Sequence, residues 1–307
     1  MRFQRLNSFN PFNTRVGLAL GGGAAKGVAH IGAIKALKQE RVSIDYVSGT
    51  SIGAFVASYY AFGKSIEDMT AVAENLTFKS MASFSWRASG GLFSTNAVRE
   101  MLIKDLGDAQ IEDAQIPLSI SATDICTGEQ IIFTKGSVAD AVCASVAVPG
   151  LFAPVELNGR KLVDGGIIEN VPVSLVRKMG AGIIICVDLT HTKRYQAPKN
   201  MADTLGNAID ICIDHKTKEQ LKQADIVVGL DLSSYSRSDN RERTSELINE
   251  GYVAMLKRAK SAQQLKHVAL IRYIVRLVRE VIPLKVPHIL SRFYKAKQSL
   301  IDMGSKN

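Results

Sequence analysis

The stretch RVGLALGGGAAKGVAHIGAIKALKQE, residues 15–40, decides the fold of this 307-residue chain. Its first six residues, mostly apolar, predict a short strand, and the glycine-rich loop Gly21–Gly27 follows directly. The apolar residues that come next recur at helical spacing and predict a helix over 28–40, with one face formed by Ile31, Ile34 and Leu37. A strand, a glycine loop and a helix in this order are typical of an α/β protein.

The glycine loop has the chemistry of an anion-binding segment. Consecutive glycines let the backbone approach a ligand closely, and the start of the following helix adds positive dipole. This suits either a phosphate or an oxyanion. The spacing matches neither the dinucleotide fingerprint G-x-G-x-x-G, since Lys26 stands one residue before the last glycine, nor the phosphate loop G-x-x-x-x-G-K-[ST]. A tight turn with only a structural role is the remaining alternative.

A serine between two glycines follows the second predicted strand, Ile44–Ser48. The sequence Gly49-Thr50-Ser51-Ile52-Gly53 fits G-x-S-x-G, and a helix of small residues is predicted to follow it as far as Phe62. Glycines on both sides of Ser51 allow the sharp strand-to-helix turn that exposes a nucleophilic hydroxyl. Such a hydroxyl needs a neighbouring base.

Asp164 is a better candidate for that base than any histidine. It follows the predicted strand Lys161–Val163 and precedes Gly165 and Gly166, so the backbone turns tightly and presents the carboxylate to a cleft. A structural Asp-Gly-Gly turn is the alternative. None of the five histidines lies in a glycine-tight loop after a strand, and surface or packing roles are expected for His30, His191, His215, His267 and His288.

Strands and helices alternate along the chain as far as Leu189. This alternation predicts a three-layer α/β/α architecture with a mostly parallel central sheet. The turn Asn158-Gly159 is a strong hairpin signal. Strands are expected at Ile116–Ile125, Gln130–Thr134, Val155–Leu157, Lys161–Val163 and Gly182–Leu189, and helices at Ser137–Ser145 and Pro172–Met179, with Gly182–Leu189 closing the last αβ unit.

Aromatic residues gather in residues 78–93, within a segment predicted to be helical and irregular. They either cap an acyl channel or belong to an ordinary core. The residues concerned are Phe78, Met81, Phe84, Trp86 and Phe93.

The net charge of +9 is concentrated at the carboxyl end of the chain. Residues 257–307 hold 12 Lys and Arg against 2 Asp and Glu, whereas the rest of the chain holds 26 against 27. Arg272, Arg276 and Arg279 fall on one face of a predicted amphipathic helix, which favours an anionic membrane surface as partner. A solvated face on a helix packed against the domain is the alternative. The neutral remainder and the lack of a recognition motif argue against nucleic acid.

The lack of a targeting segment and the pattern of cysteines predict a cytoplasmic protein, and the basic tail predicts a peripheral position on the inner face of a membrane. Residues 1–14 have no apolar core of a secretion signal, and no stretch reaches the ~18 apolar residues of a membrane span. The four cysteines lack metal-ligand spacing, and Cys143 and Cys186 are expected to be buried in a reducing compartment.

Together these motifs resemble those of the patatin-like phospholipases, in the bacterial branch similar to the neuropathy-target-esterase catalytic domain. The family's three signatures occur here in order, as Gly21–Gly27, Gly49–Gly53 and Asp164–Gly166. The segments Ala144–Phe152 and Asn170–Val173 also resemble family sequence. The resemblance covers roughly residues 15–190 and continues weakly to about residue 260.

The resemblance implies a lipid acyl hydrolase of phospholipase A or lysophospholipase type that needs no metal and no organic cofactor. It implies that Asp164 activates Ser51, which forms an acyl-enzyme. It also implies an oxyanion hole of backbone N–H groups from Gly22, Gly23 and Ala24, supported by the motif residues Gly21, Lys26, Gly27, Gly49, Gly53, Gly165 and Gly166. The chain departs from the family at Ala24, where relatives often have glycine, and at Lys26, where many have arginine.

The expected organisation is a leader over 1–14, a patatin-like catalytic domain over 15–260 and a basic helical tail over 261–307. Two other functions remain open. An α/β-hydrolase esterase with a Ser-His-Asp triad would use His191 as its base. A catalytically idle membrane adaptor would use the tail and keep the glycine loop as structure, although the intact Ser51 and Asp164 argue against it.

Overall fold

The computed structural model describes residues 15–75, 83–84, 93–192, 195, 197–236 and 239–281. In this part of the chain the strands are β1 (Val16–Leu20), β2 (Tyr46–Thr50), β3 (Ser83–Phe84), β4 (Phe93–Ser94), β5 (Leu118–Asp124), β6 (Gln130–Phe133), β7 (Val155–Leu157), β8 (Arg160–Asp164), β9 (Ile183–Asp188) and β10 (Ile226–Gly229). The α-helices are α1 (Ala29–Gln39), α2 (Ile52–Ala61), α3 (Ile66–Glu74), α4 (Asn96–Leu106), α5 (Val138–Ser145), α6 (Gly166–Glu169), α7 (Val173–Met179), α8 (Met201–Leu221) and α9 (Thr244–Val281).

Eight of these strands form one twisted sheet in the order β10-β9-β1-β2-β5-β8-β7, with β6 paired to β5. The first five strands in that order are parallel, and β6, β7 and β8 join by antiparallel pairing. The mostly parallel sheet predicted from the alternation is therefore confirmed. The Asn158-Gly159 turn has positive φ at both residues, 51° and 74°, as a tight hairpin requires.

Helices cover both faces of the sheet. On one face α1, α2 and α9 pack over Leu18 and Leu20 of β1. On the other face α7 packs over Ala19 of β1 and Ile184 of β9. This is the three-layer arrangement expected from the sequence.

Helix α9 crosses α1 at a pair of glycines. A Cβ on Gly32 would lie 1.8 Å from the carbonyl oxygen of Ile248, and a Cβ on Gly251 would lie 1.8 Å from that of Ala29. The two backbones touch, so the first turns of α9 are part of the domain core. The helix continues past residue 260, where the tail was expected to begin, and that boundary stays a prediction.

The sheet extends one strand further than the sequence indicated. The prediction that Gly182–Leu189 closes the last αβ unit is wrong, because α8 and β10 follow it, and β10 pairs in parallel with β9. Strand β10 has only four residues, IVVG, and a run this short is not identified as a strand by its pattern alone.

Of the aromatic segment 78–93, Phe78, Met81 and Trp86 lie outside the described residues. Phe84 and Phe93 pair in the two-stranded ribbon β3–β4, and the Phe93 ring lies 6.4 Å from that of Phe152. Both buried cysteines are placed as predicted, since Cys143 and Cys186 are fully enclosed and form no disulfide. Within the described helices, none is both long enough and apolar enough to cross a bilayer.

Candidate active site

The strands that carry Ser51 and Asp164 meet end to end along β5. Strand β2 runs parallel to β5 and ends with Thr50 opposite Ser121, whereas β8 runs antiparallel and ends with Asp164 opposite Ala122. Strand β6 also pairs with Ala122 and therefore occupies the other side of β5. The carboxyl ends of β2 and β8 thus lie on the same side of β5 at successive register positions, roughly 3.3 Å apart along it.

Ser51 occupies a strained turn between β2 and α2. Its backbone has φ 55° and ψ −128°, a region that residues with a side chain rarely adopt. The Ser51 N–H donates to Oγ of Ser145 at 2.8 Å, and that hydroxyl donates to the Ser121 carbonyl at 2.7 Å. Ser145 is fully buried, and its two hydrogen bonds hold the turn against β5.

The glycine loop lies directly against the serine. A Cβ added to Gly22 would stand 3.3 Å from Cβ of Ser51 and 2.6 Å from Oδ1 of Asn170. Only a residue without a side chain fits between them. The motif glycines Gly27, Gly49, Gly53 and Gly165 are similarly enclosed, each with an atom within 2.4 Å of the position of an added Cβ.

The backbone N–H groups of the loop have different partners. The Gly21 N–H donates to Val187 and the Gly22 N–H to Asn170, both at 3.1 Å. Within the described residues, the N–H groups of Gly23 and Ala24 have no acceptor. The Gly22 N–H is therefore engaged inside the protein, whereas the N–H groups of Gly23 and Ala24 remain as candidate donors for the oxyanion hole expected from these three residues.

Ala24 has a left-handed backbone conformation, with φ 53°. This conformation costs an alanine roughly 1–2 kcal/mol relative to a right-handed one. A glycine would adopt it without that cost, and the conformation directs the turn into the short 3₁₀ segment Ala24–Val28 ahead of α1.

Asp164 is held at the end of β8 by its own turn. Its Oδ1 accepts the Gly166 N–H at 2.7 Å, and its N–H donates to the Ala147 carbonyl at 2.9 Å. Ser51 and Asp164 are each 8% exposed, so both are nearly buried but keep a small area in contact with solvent.

Three buried polar residues support the site, and the sequence did not single them out as site residues. Asn170 binds the glycine loop through its carbonyl, while its Nδ2 has no hydrogen-bond partner among the described residues. Glu169 accepts from Ser174 and from Gln130, and its carbonyl accepts from Thr50 at 2.9 Å. Ser145 and Asn170 lay in segments noted only for their resemblance to family sequence. Polar residues in helix-forming context carry no sequence signal that distinguishes them from surface residues.

Neither described histidine near the glycine loop is arranged as a base for Ser51. His30 is fully buried, and its Nε2–H donates to the Gly21 carbonyl at 2.7 Å. Burial lowers the pKa of His30 to about 4, against the opposing effects of that hydrogen bond and of the Asp188 charge, so the ring is neutral.

His191 lies near the edge strand β10, whereas Ser51 follows β2 nearer the middle of the sheet. Its ring packs on Gly229 at the end of β10, three strands from β2, which corresponds to about 14 Å. The hydrogen bond to Asp188 raises its pKa. The structure therefore does not bring His191 to the serine as the triad alternative requires.

Lys26 lines a small cleft beside the glycine loop. Gly23, Leu189, Thr190, Thr192, Leu232 and Ser233 form the rest of this cleft. Lys26 therefore lies on the β9 side of the loop. Among the described residues, no cluster of His, Cys, Asp and Glu is arranged to hold a metal ion.

The family model for patatin-like phospholipases matches residues 18–177, which contain the glycine loop, Ser51 and Asp164. The chain belongs to the patatin-like phospholipase family. Its place in that family agrees with the resemblance carried by the motifs.

Two curated relatives illustrate how much of a longer protein this chain matches. It is 34% identical over 200 residues to lysophospholipase NTE1 of Yarrowia lipolytica, covering 63% of this chain and 14% of that protein. It is 34% identical over 181 residues to an uncharacterized NTE family protein of Mycobacterium tuberculosis, covering 58% of this chain and 50% of that protein. The chain thus spans half or less of these relatives.

The patatin-like fold is also found in a solved structure of low sequence identity. VipD from Legionella pneumophila superposes with a TM-score of 0.54 at 16% identity, covering 81% of this chain and 67% of that chain. This likeness supports the arrangement of sheet and helices.

Proposed function

We propose that this protein hydrolyses the carboxylic esters of phospholipids or lysophospholipids, with Ser51 as nucleophile and Asp164 as its base. The observation that carries the proposal is the meeting of β2 and β8 along β5, since it brings a strained serine and a buried aspartate to one point beside the glycine loop. The relative from Yarrowia lipolytica is named a lysophospholipase, and this name supports the proposed substrate class.

In the first step Asp164 accepts the proton of the Ser51 hydroxyl while Oγ attacks the ester carbonyl. The hydrogen bond from Gly166 to Oδ1 holds the carboxylate in one orientation, so the dyad needs no third residue to position its base. The protonated Asp164 then donates this proton to the leaving alkoxide oxygen, so that the alcohol departs and an acyl-enzyme with an ionised Asp164 remains. A water molecule, deprotonated by Asp164, then releases the fatty acid and restores Ser51.

The negative charge of each tetrahedral intermediate is stabilised by the N–H groups of Gly23 and Ala24. Each donor of this kind is typically worth roughly 10²–10³ in rate. The loop is preorganised for this role, because hydrogen bonds from Gly21 to β9, from Gly22 to Asn170 and from His30 of α1 to Gly21 hold it in place.

The proposal is tested with the full chain on matched panels of phospholipids and lysophospholipids, measuring released fatty acid. We expect the wild type to release fatty acid from at least one panel, and Ser51→Ala to release none above background. Activity should survive an excess of chelator, since the proposed steps use no metal. Absence of hydrolysis on both panels and on a small soluble ester would refute the proposal.

We further propose that the basic tail, residues 261–307, binds an anionic membrane surface. Arg272, Arg276 and Arg279 carry the argument, because each basic residue near an anionic surface contributes about 1 kcal/mol. Their side chains lie outside the described residues, so the charge pattern of the sequence supports this proposal alone.

Removing residues 265–307 is expected to weaken binding to anionic vesicles, measured by co-sedimentation, while hydrolysis of a small soluble ester changes little. The loss should shrink as salt rises, because exposed charges are screened within ~8 Å at physiological ionic strength. A variant with Arg272, Arg276 and Arg279 all changed to Gln serves as the control that keeps the helix. If truncation unfolds the protein and the Gln variant binds normally, the helix instead packs on the domain.

A further inference from the structure

Helix α8 has its apolar side chains on the wrong face for a helix of a water-soluble domain. At about 100° per residue, Met201, Leu205, Ala208 and Cys212 fall in one strip roughly 60° wide. All four are exposed, Met201 by 79% and Leu205 by 57%. Ile209 and Ile211 flank the strip and are 36% and 50% exposed.

Between Met201 and Thr217 the opposite face of α8 is polar and points inward, whereas Leu221 at the end of the helix packs on the core. Asp210 and Thr217 are 7% and 2% exposed, and Asp214 accepts a hydrogen bond from the Tyr195 hydroxyl. A surface helix normally shows the reverse pattern, with its apolar face on the core. The outward apolar strip is therefore a surface that gains free energy when it leaves water.

The strip projects beyond the edge of the sheet where the active site lies. The last turns of α8 are fixed to the segment after Asp164, since Lys216 and Gln220 donate to the carbonyls of Ile167 and Ile168 at 3.2 and 3.1 Å. The chain leaves β9 at the active-site edge, and α8 returns antiparallel to it to reach β10. At 1.5 Å per residue, Leu205 lies roughly 16 Å further out than Lys216, and Met201 roughly 22 Å.

We propose that this outward face of α8, formed by Met201, Leu205, Ala208, Ile209, Ile211 and Cys212 and here named the α8 rim, inserts into the surface of a lipid bilayer. The proposal rests on the proposed function, because a lipid held in a bilayer must reach a serine that is only 8% exposed. The α8 rim projects past the turn that carries Asp164. When the apolar side chains of the rim enter the bilayer, the active-site edge of the sheet therefore faces the bilayer surface.

The experiment uses the full chain carrying Ser51→Ala, so that vesicles stay intact. Binding to neutral phosphatidylcholine vesicles is measured by co-sedimentation in high salt, which screens the attraction of the basic tail. We expect the parent to bind, and Leu205→Glu to reduce the partition coefficient about tenfold or more, because a leucine side chain is no longer buried. Met201→Glu should act in the same direction.

Ile103→Glu is the matched control. Ile103 is 47% exposed on α4, so the substitution adds the same charge to an exposed apolar position outside the rim. It should leave binding within twofold of the parent. Failure of the parent to bind neutral vesicles, or equal losses in Ile103→Glu and Leu205→Glu, would overturn the proposal.

A second readout separates this surface from the esterase chemistry. In the chain with Ser51 intact, Leu205→Glu should keep the rate on a small soluble ester and lose about tenfold on vesicle lipid. Loss of vesicle binding in a protein that hydrolyses no ester would retain the surface and reject the proposed function. Unchanged vesicle binding, with a dimer converted to monomer in sedimentation velocity, would show that the rim binds a second copy and would overturn the lipid assignment.

Discussion

Ser51→Ala and Asp164→Asn should each lower ester hydrolysis by roughly 10⁴-fold or more, measured as kcat/KM on a soluble ester. Alanine removes the nucleophilic oxygen, and asparagine removes the basic oxygen. Asparagine retains a carbonyl oxygen that accepts the Gly166 N–H, so the turn after β8 stays closed. Thermal unfolding of both variants should remain close to that of the wild type.

The double variant separates a dyad from two independent contributions. Because Ser51 and Asp164 act in one proton transfer, the double variant should be no worse than either single variant. His191→Ala should keep full activity, since its ring packs on β10, about 14 Å from β2. Full activity of Asp164→Asn together with loss in His191→Ala would instead establish a histidine base.

The central part of the site was predictable because its residues are constrained by backbone geometry. Ser51 needs flanking glycines to fit between β2 and α2, and Gly22 needs to be glycine to lie against it. Constraints of this kind leave a mark in one local stretch of sequence. The strands next to these motifs were predictable for the same reason, since each is a short segment that leads into a turn rich in glycine.

The supporting residues were not predictable because their roles depend on contacts distant in sequence. The Ser145 hydroxyl accepts a hydrogen bond from the N–H of Ser51, 94 residues earlier in the chain. The Asn170 carbonyl accepts the Gly22 N–H only because the fold brings these two distant segments together. The end-to-end meeting of β2 and β8 likewise depends on the register in which each strand pairs with β5, and this register cannot be predicted from a single sequence. Helix α8 was missed because its polar face is the buried one, the reverse of the pattern that identifies surface helices.

Gly53→Ala should both destabilise the protein and impair catalysis. An added Cβ would lie 2.2 Å from the Leu20 carbonyl oxygen and 2.7 Å from that of Gly21, so α2 must move away from β1 and from the glycine loop. Overpacking against backbone of this kind costs about 3 kcal/mol. Since a shift of about 1 Å in a catalytic group costs on the order of 10²-fold in rate, kcat should fall by about that factor.

Gly206→Ala is the control for the loss of a helical glycine. Gly206 lies in α8 with no atom within 4 Å of the position of an added Cβ, so alanine there should stabilise the protein by about 0.5–1 kcal/mol through the unfolded chain. Chemical denaturation measures both variants, and a soluble ester measures kcat. If Gly53→Ala were as stable and as active as wild type, the close approach of α2 to β1 would be wrong. If it lost stability but kept kcat, the contact would hold the fold without positioning Ser51, since the nucleophile two residues away would have tolerated the shift of its helix.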